Sequence, residues 1–318
     1  MNASDAQYDA LSRLIVAVAS LGRGPRPADL NMHKALISEP ESPVHPASSR
    51  RSKTGINDWL TAEIAAVKPR RVLDIGCGFG TLLASIRAEH TCDTIGLSPT
   101  PFTVAYANRF WRDHQPGSAP DIRLQAFGEP VVARPGSDFE TGSERGDDSG
   151  SSGISETETE TETESRSFDL IIALESIGYS ADLTDTLSWL DTLLDEHGTV
   201  WLLDDWRIAQ WPEHASAIQA LGRCWHRPRL YSVEDLLNAA GDHGLSLVDR
   251  VDFTHRVPAV HQRPGSARRV CLRIAKAVSG ATRCGEVASA FLGGWYLESL
   301  YNQGAVRYEL IKLQRLPA

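Results

Sequence analysis

Residues 72–80 read Val72-Leu73-Asp74-Ile75-Gly76-Cys77-Gly78-Phe79-Gly80. An apolar run from Arg71 to Ile75 that ends in three glycines over five positions has the form of a buried strand entering a tight turn before a helix. Glycine lets a ligand approach the backbone closely, and the start of a helix exposes amides to it. The spacing is G-x-G-x-G, not the G-x-G-x-x-G of a dinucleotide fold, and the lysine of a phosphate-binding loop is absent. Alone, the motif leaves open a nucleoside-type ligand or a tight turn that holds nothing.

Working outward, strand and helix patterns alternate. Thr81 to Glu89 reads as a helix, Thr91 to Leu97 as a second strand, Pro101 to Asp113 as a helix and Asp121 to Ala126 as a third strand. Phe168 to Leu174 is apolar on both faces, as a central parallel strand should be. A helix over Leu183 to Leu194 is expected to stop at His197-Gly198 and to be followed by a strand over Thr199 to Leu203. Ser232-x-x-Asp235 has the form of a capping box opening another helix. Leu245 to Val251 and Val306 to Leu313 complete the strand candidates. Repeated units of this length imply an α/β fold with a doubly wound, mostly parallel sheet.

The net charge of -9 is localised. Between Ser137 and Ser167 stand ten acids and two bases, so this stretch carries eight of the nine net negative charges. Gly-Asp-Asp-Ser-Gly-Ser-Ser-Gly at 146–153 and the alternating Glu and Thr from Glu156 offer almost nothing to bury against the entropy of ordering. An acidic insert at about 134–167, disordered and outside the fold, is the expectation; a tail that recruits a basic partner is the alternative. From Leu245 to the end the balance reverses, with eleven bases against five acids. Arg269, Arg273 and Lys276 would share one helical face beside Val270, Ile274 and Ala277, suited to an anionic lipid head or a diphosphate, or to plain solvation.

No apolar run approaches the roughly 18 to 20 residues of a membrane span. Leu14 to Leu21 is too short and follows acids, so it reads as a helix covering apolar surface. Five scattered cysteines fit a reducing, cytoplasmic setting. Cys224-Trp225-His226 lacks a second ligand pair at zinc spacing, so no metal is expected. Basic-aromatic interleaving is absent, which argues against a nucleic-acid partner.

The stretch at 72–80 closely resembles the first motif of class I S-adenosylmethionine-dependent methyltransferases, and with the insert skipped the resemblance extends over roughly 55–251. It implies a seven-stranded sheet and S-adenosylmethionine as cofactor. Asp74, Gly76, Cys77, Gly78 and Gly80 would line its methionine end. Gly96-Leu97-Ser98-Pro99 resembles the branch of cyclopropane-fatty-acid synthases and of sterol and prenyl-diphosphate methyltransferases. There Leu97 and Ser98 would meet the ribose, although Ser98 also suits a helix N-cap. Gly128-Glu129 matches the adenine position, with Phe127 against the purine or in the core; Leu174 would close the cofactor site.

The fourth strand runs into Glu175, at the sheet edge where ligands bind. An acid in this loop is what C-methylating members of the resembled branch place beside the acceptor. Methyl transfer to an alkene creates a carbocation, which needs a negative charge and a base. Glu175 would serve both, with Tyr179 presenting a π-face or hydroxyl; the alternative is a solvated acid or a partner for an N-terminal residue. His226, in a Trp-His segment with Tyr231 following, is the other candidate base. Asp204-Asp205-Trp206 either shapes the pocket or caps a helix. In Gly293 to Tyr301, Leu297, Leu300 and Tyr301 would pack on one face or wall the acceptor pocket.

The organisation expected is an N-terminal helical lid segment over 1–50 and a methyltransferase domain over 51–318, with a helical acceptor lid over about 253–302. The acceptor expected is a small, largely apolar molecule, methylated at carbon and isoprenoid or lipid-like. O- or N-methylation of a small natural product is the runner-up. A nicotinamide oxidoreductase or a non-catalytic binding module are the readings from other classes.

Overall fold

The computed structural model describes residues 3–21, 24–37, 51–52, 55–126, 128–129, 167–213, 215–258, 273–276 and 285–315. The acidic insert lies outside the described residues, as do Phe127, Arg269, Val270 and Ala277.

Seven strands form one sheet: β1 (Arg71–Ile75), β2 (Asp93–Ser98), β3 (Asp121–Leu124), β4 (Phe168–Leu174), β5 (Leu194–Arg207), β6 (Leu245–Asp252) and β7 (Val306–Arg315). Their spatial order is β3-β2-β1-β4-β5-β7-β6. The first five are parallel, while β7 lies antiparallel between β5 and β6. This is the doubly wound, mostly parallel sheet expected. The strand order reverses beside β1, so a crevice opens above the carboxyl ends of β1 and β4.

Strand periodicity sorts the core into two layers. In β4, Leu170 and Ile172 enter one buried cluster, while Phe168, Ile171 and Ala173 enter another. In β1, Val72 joins the first and Leu73 and Ile75 the second. Asp74 therefore shares its face with Val72, at the end of a strand buried on both sides. The first layer takes apolar residues from α2 (Gly55–Val67), α3 (Thr81–Glu89), α6 (Ser216–Trp225) and α8 (Gly285–Asn302). The second takes them from α5 (Leu183–Leu193) and α7 (Val233–Gly241). Each fully buried Leu or Ile contributes about 1.5–3 kcal/mol, which makes the central strands the stable frame of the site.

Two expectations need correction. The strand after α5 does not wait for Thr199. It begins at Leu194, pairs with Phe168 and absorbs His197-Gly198 in an irregular stretch before Leu170 meets Thr199. A side chain at Gly198 would strike Leu194 and the Phe168 carbonyl, so this glycine allows close packing and does not terminate the helix. The N-terminal apolar run is also not simply a covering face. In α1 (Ala3–Ala19), Leu14 and Val18 are exposed, while Gln7 and Ser12 are buried. Gln7 Nε2 donates to the Cys224 carbonyl at 2.7 Å and the Glu286 carbonyl at 3.2 Å, and Thr103 Oγ1 donates to Ser12 Oγ at 2.8 Å. Hydrogen bonds thus join α1 to α6, α8 and α4 (Pro101–His114), with Ile15 and Val16 supplying its apolar contact.

No helix among the described residues is long and apolar enough to cross a membrane. Arg273 and Lys276 are exposed, as is Ile274 at 59%, while Ala275 is buried. The described part of the basic segment thus shows Ile274 on the surface with the charges.

Candidate active site

The glycine turn sits where β1 ends. Gly76 and Cys77 both donate their N–H to the Leu97 carbonyl, at 2.9 and 3.0 Å, which ties the turn to β2. Gly76 and Gly80 have φ of +78° and +71°. A side chain at Gly76 would overlap Ser176, and one at Gly80 would overlap Ile122 of β3. Their tasks differ, however. Gly76 and Gly78 border a cavity of about 590 Å³, whereas Gly80 serves the packing of α3 onto β3.

Leu97 and Ser98 border the same cavity from the end of β2, and Gln125, Ala126 and Gly128 from the end of β3. Ser98 does not cap α4. The N-cap is Thr100, because Pro101 takes the first helical position. Glu129 is exposed and lies outside the cavity wall. Its carboxylate accepts the Ala126 N–H at 3.2 Å, and its carbonyl accepts the Trp189 Nε1–H at 3.0 Å. It shapes the turn after β3 without facing the cavity.

A smaller cavity of about 50 Å³ adjoins the first and shares Tyr8, Met32, Gly76 and Gly78 with it. Asp74, Cys77, Leu174 and Glu175 border it. Asp74 is 2% exposed, and its Oδ1 has no hydrogen-bond partner. Burial raises its carboxyl from 3.8 to about 7. Burial also pushes the Cys77 thiol well up, reinforced by Asp74. An orphaned buried acceptor beside glycines is a vacancy in hydrogen bonding that a cationic ligand group would fill.

Glu175 is half-buried and engaged. Its Oε1 accepts the Lys34 N–H at 2.9 Å and the Tyr308 hydroxyl at 2.8 Å, with Lys34 Nζ at 3.4 Å. Burial opposes its ionisation, yet Lys34, His33 and these hydrogen bonds outweigh burial and hold its pKa below the ordinary value. It is thus an ionised partner of an N-terminal residue. Glu175 also has φ +53°, a left-handed conformation rare for a side chain of this size. The Glu175 N–H reaches the Leu203 carbonyl of β5 at 2.7 Å, which fixes that bend.

Around it lies a buried ionic group. Lys34 Nζ donates to Asp205 Oδ2 at 2.8 Å, and Tyr301 donates a short hydrogen bond to Asp205. Arg227 donates to Asp204 at 2.8 Å and lies 3.6 Å from Asp205. Asp204 also accepts the Gly178 N–H at 3.1 Å, so Asp204-Asp205 ties the turn after β4 to Arg227 and Lys34 and caps no α-helix. Burial raises the Asp205 carboxyl, only partly countered by Lys34, with Asp204 adding to the rise.

Tyr179 borders the main cavity from the turn after β4. Its ring meets Tyr8 edge-on at 5.4 Å, with the Arg227 guanidinium 5.4 Å from its centroid. Burial raises the Tyr179 hydroxyl and the Tyr8 hydroxyl. His226 borders the cavity from the far side, in a left-handed turn after α6, with Nε2 3.2 Å from Glu286 Oε2. Tyr231 stands behind, donating to the carbonyls of Ser180 and Ala181 at 3.2 Å. Leu297, Leu300 and Tyr301 are buried in the core. Among the described residues no group of three His, Cys, Asp or Glu is placed to hold a metal.

The site therefore joins the expected Asp74, Gly76, Gly78, Leu97, Ser98, Leu174, Glu175, Tyr179 and His226 around two adjoining cavities. Sequence reading missed Tyr8, Lys34, Arg227 and Tyr308. Lys34 meets acids 141 and 171 positions away, and no local spacing signals that.

A family model described as a methyltransferase domain matches residues 49–250. A 24-methylenesterol C-methyltransferase of Oryza sativa subsp. japonica is 23% identical over 217 residues, covering 67% of this chain and 51% of the relative. The chain thus spans about half the length of that curated relative. Among solved structures, geranyl diphosphate C-methyltransferase of Streptomyces coelicolor aligns with TM-score 0.60 and 15% identity, covering 99% of this chain and all of the other. A cyclopropane synthase of Mycobacterium tuberculosis aligns with TM-score 0.63 and 13% identity, covering 98% and 97%.

Proposed function

This chain belongs to the methyltransferase domain family, and from that premise we propose that it uses S-adenosylmethionine to methylate a small, largely apolar acceptor at carbon. The observation that carries the proposal is the cavity of about 590 Å³ reaching from the glycine turn to Tyr8, Tyr179 and His226. The sterol C-methyltransferase relative is consistent with such an acceptor.

Gly76 and Gly78 would let the cofactor lie against the backbone, with Asp74 taking its ammonium end and Leu97 and Ser98 its ribose. The cofactor supplies an electrophilic methyl group. The chain's own residues position the acceptor and exclude water. Residues of α1 and the segment around Met32 close the cavity as a lid. Glu175, ionised and ion-paired, acts as a fixed negative charge behind Tyr8 and Tyr179. A carboxylate held this low makes a poor proton acceptor, so we assign proton removal to His226, whose imidazole is oriented by Glu286. Tyr179 would present its ring to positive charge developing on the acceptor.

The test incubates the protein with methyl-labelled S-adenosylmethionine and a panel of alkenes, phenols and amines, and locates the label by mass spectrometry and NMR. Label on carbon supports the proposal, and label only on oxygen or nitrogen overturns it. In a productive pair, His226→Ala should lower kcat at least 100-fold with a small change in cofactor affinity.

A further inference from the structure

We infer that His33 reads the amino-acid end of the cofactor, its Nε2 accepting a hydrogen bond from the same ammonium group that Asp74 takes. The inference rests on S-adenosylmethionine being the cofactor, as proposed above. His33 lies between α1 and α2 and borders the cavity of about 50 Å³ together with Asp74, Gly76 and Glu175. Its Nε2 is sealed from solvent without a hydrogen-bond partner, and so is Asp74 Oδ1. A loop and a strand end thus bring two orphaned atoms to one small space.

The position of the ring proton decides what Nε2 can do. Nδ1 lies 3.4 Å from the Lys34 carbonyl. A carbonyl only accepts, so a neutral ring in this orientation carries its proton on Nδ1 and offers a lone pair at Nε2. Burial lowers the pKa of His33, against the pull of Glu175, the Lys34 carbonyl and Asn57, and this keeps the ring neutral. Asn57 supplies no donor to Nε2, because its Nδ2 donates to Asn31 at 3.2 Å and to Thr81 at 3.3 Å. Its Oδ1 is a further sealed acceptor without a partner. Acceptors that share a dehydrated space and lack a donor suit an ammonium group, which brings three N–H donors and a positive charge.

The chain beside His33 is already fixed. The Lys34 N–H donates to Glu175 at 2.9 Å and Lys34 Nζ to Asp205 at 2.8 Å. The ring therefore stands at the cavity before a ligand arrives, and bonding to it costs little further ordering. A nucleoside without the amine leaves both acceptors unpaired and is rejected on that ground. His33 gives the segment ahead of β1 a part in choosing the cofactor, where Asp74 alone would leave the choice to the glycine turn.

The experiment compares S-adenosylhomocysteine with its deaminated analogue, which keeps the carboxylate and has hydrogen in place of the amine. Binding to the full chain is measured by calorimetry at about pH 8, where Asp74 is ionised. The wild type is expected to bind S-adenosylhomocysteine at least about tenfold more tightly than the analogue. His33→Leu should weaken S-adenosylhomocysteine at least about tenfold and the analogue less than about threefold. His33→Gln, whose amide oxygen can take the place of Nε2, should bring S-adenosylhomocysteine back to within about threefold of wild type. Equal weakening of both ligands by His33→Leu marks a packing role and overturns the inference. No weakening overturns it too, as does a wild-type gap below about threefold, which needs no variant to read. His33→Phe carries the same comparison if His33→Leu melts below the assay temperature. Failure of S-adenosylhomocysteine and S-adenosylmethionine alike to bind the wild type defeats the cofactor assignment and this inference with it. Tight binding of both with an equal loss in His33→Leu defeats this inference alone.

Discussion

Asp74 shows how one residue carries both folding cost and binding specificity. Its carboxyl stands at about 7 because it is buried without a partner on Oδ1. The folded pKa is raised above 3.8, so the unfolded chain ionises first as pH rises. Without ligand, stability should therefore fall between about pH 4 and 7 and level off above. A ligand ammonium would reverse the preference by binding the carboxylate form. Affinity for S-adenosylhomocysteine should climb with pH, by at most about tenfold per unit below 7, and then flatten. Calorimetric titration from pH 5.5 to 8.5 checks this; Asp74→Asn should bind more weakly and without that slope. The neighbouring glycines look equivalent in the chain, yet Gly76 borders the cavity and Gly80 only packs on Ile122. What divides them is the strand each faces, which local spacing does not encode.

At the scale of elements, the segment between α1 and α2 is pinned to the sheet by Lys34. Its ammonium loses hydration on burial, but Asp205 and Glu175 more than compensate and raise its pKa. Lys34→Met would leave both acids buried with less counter-charge, which typically costs about 3–5 kcal/mol. The melting temperature should drop by about 10 °C. Glu175→Gln added to Lys34→Met should recover part of the loss, since one of the stranded charges is then gone. Differential scanning calorimetry of the two variants decides it, and a second variant no more stable than the first would show that Glu175 and Lys34 are not coupled. Glu175 was legible as an acid at a strand end. Its partner was not, because the ion pair is made by folding a segment from before β1 over the carboxyl edge.

For the whole molecule, net charge is concentrated in one stretch of the chain. The stretch from 137 to 167 carries eight of nine net negative charges, between strands β3 and β4 that end and begin outside it. Replacing residues 131–166 by a glycine-serine bridge of about 15 residues, which reaches roughly 20 Å, should leave the melting temperature within about 2 °C. It should also raise the isoelectric point from 5.6. A large loss of stability on melting would show that the stretch contributes to the fold.

The sequence alone determined the sheet. Strand and helix periods, the capping box at Ser232 and the glycine turn are local properties, each written within ten or so residues, and they reappear in the folded chain apart from the earlier start of β5 at Leu194. It also marked Glu175 and Tyr179 by their place after an apolar strand, and Asp74 and His226 by the motifs that carry the resemblance to the methyltransferases. Only the tertiary structure decided what those groups are. Glu175 is ion-paired with Lys34, Glu129 lies outside the cavity wall, Tyr8 borders the cavity, and Arg227 joins the buried ionic group beside it. Protonation and partnership depend on which distant side chains share a dehydrated space, and that is fixed by packing across the sheet edge, not by neighbours along the chain.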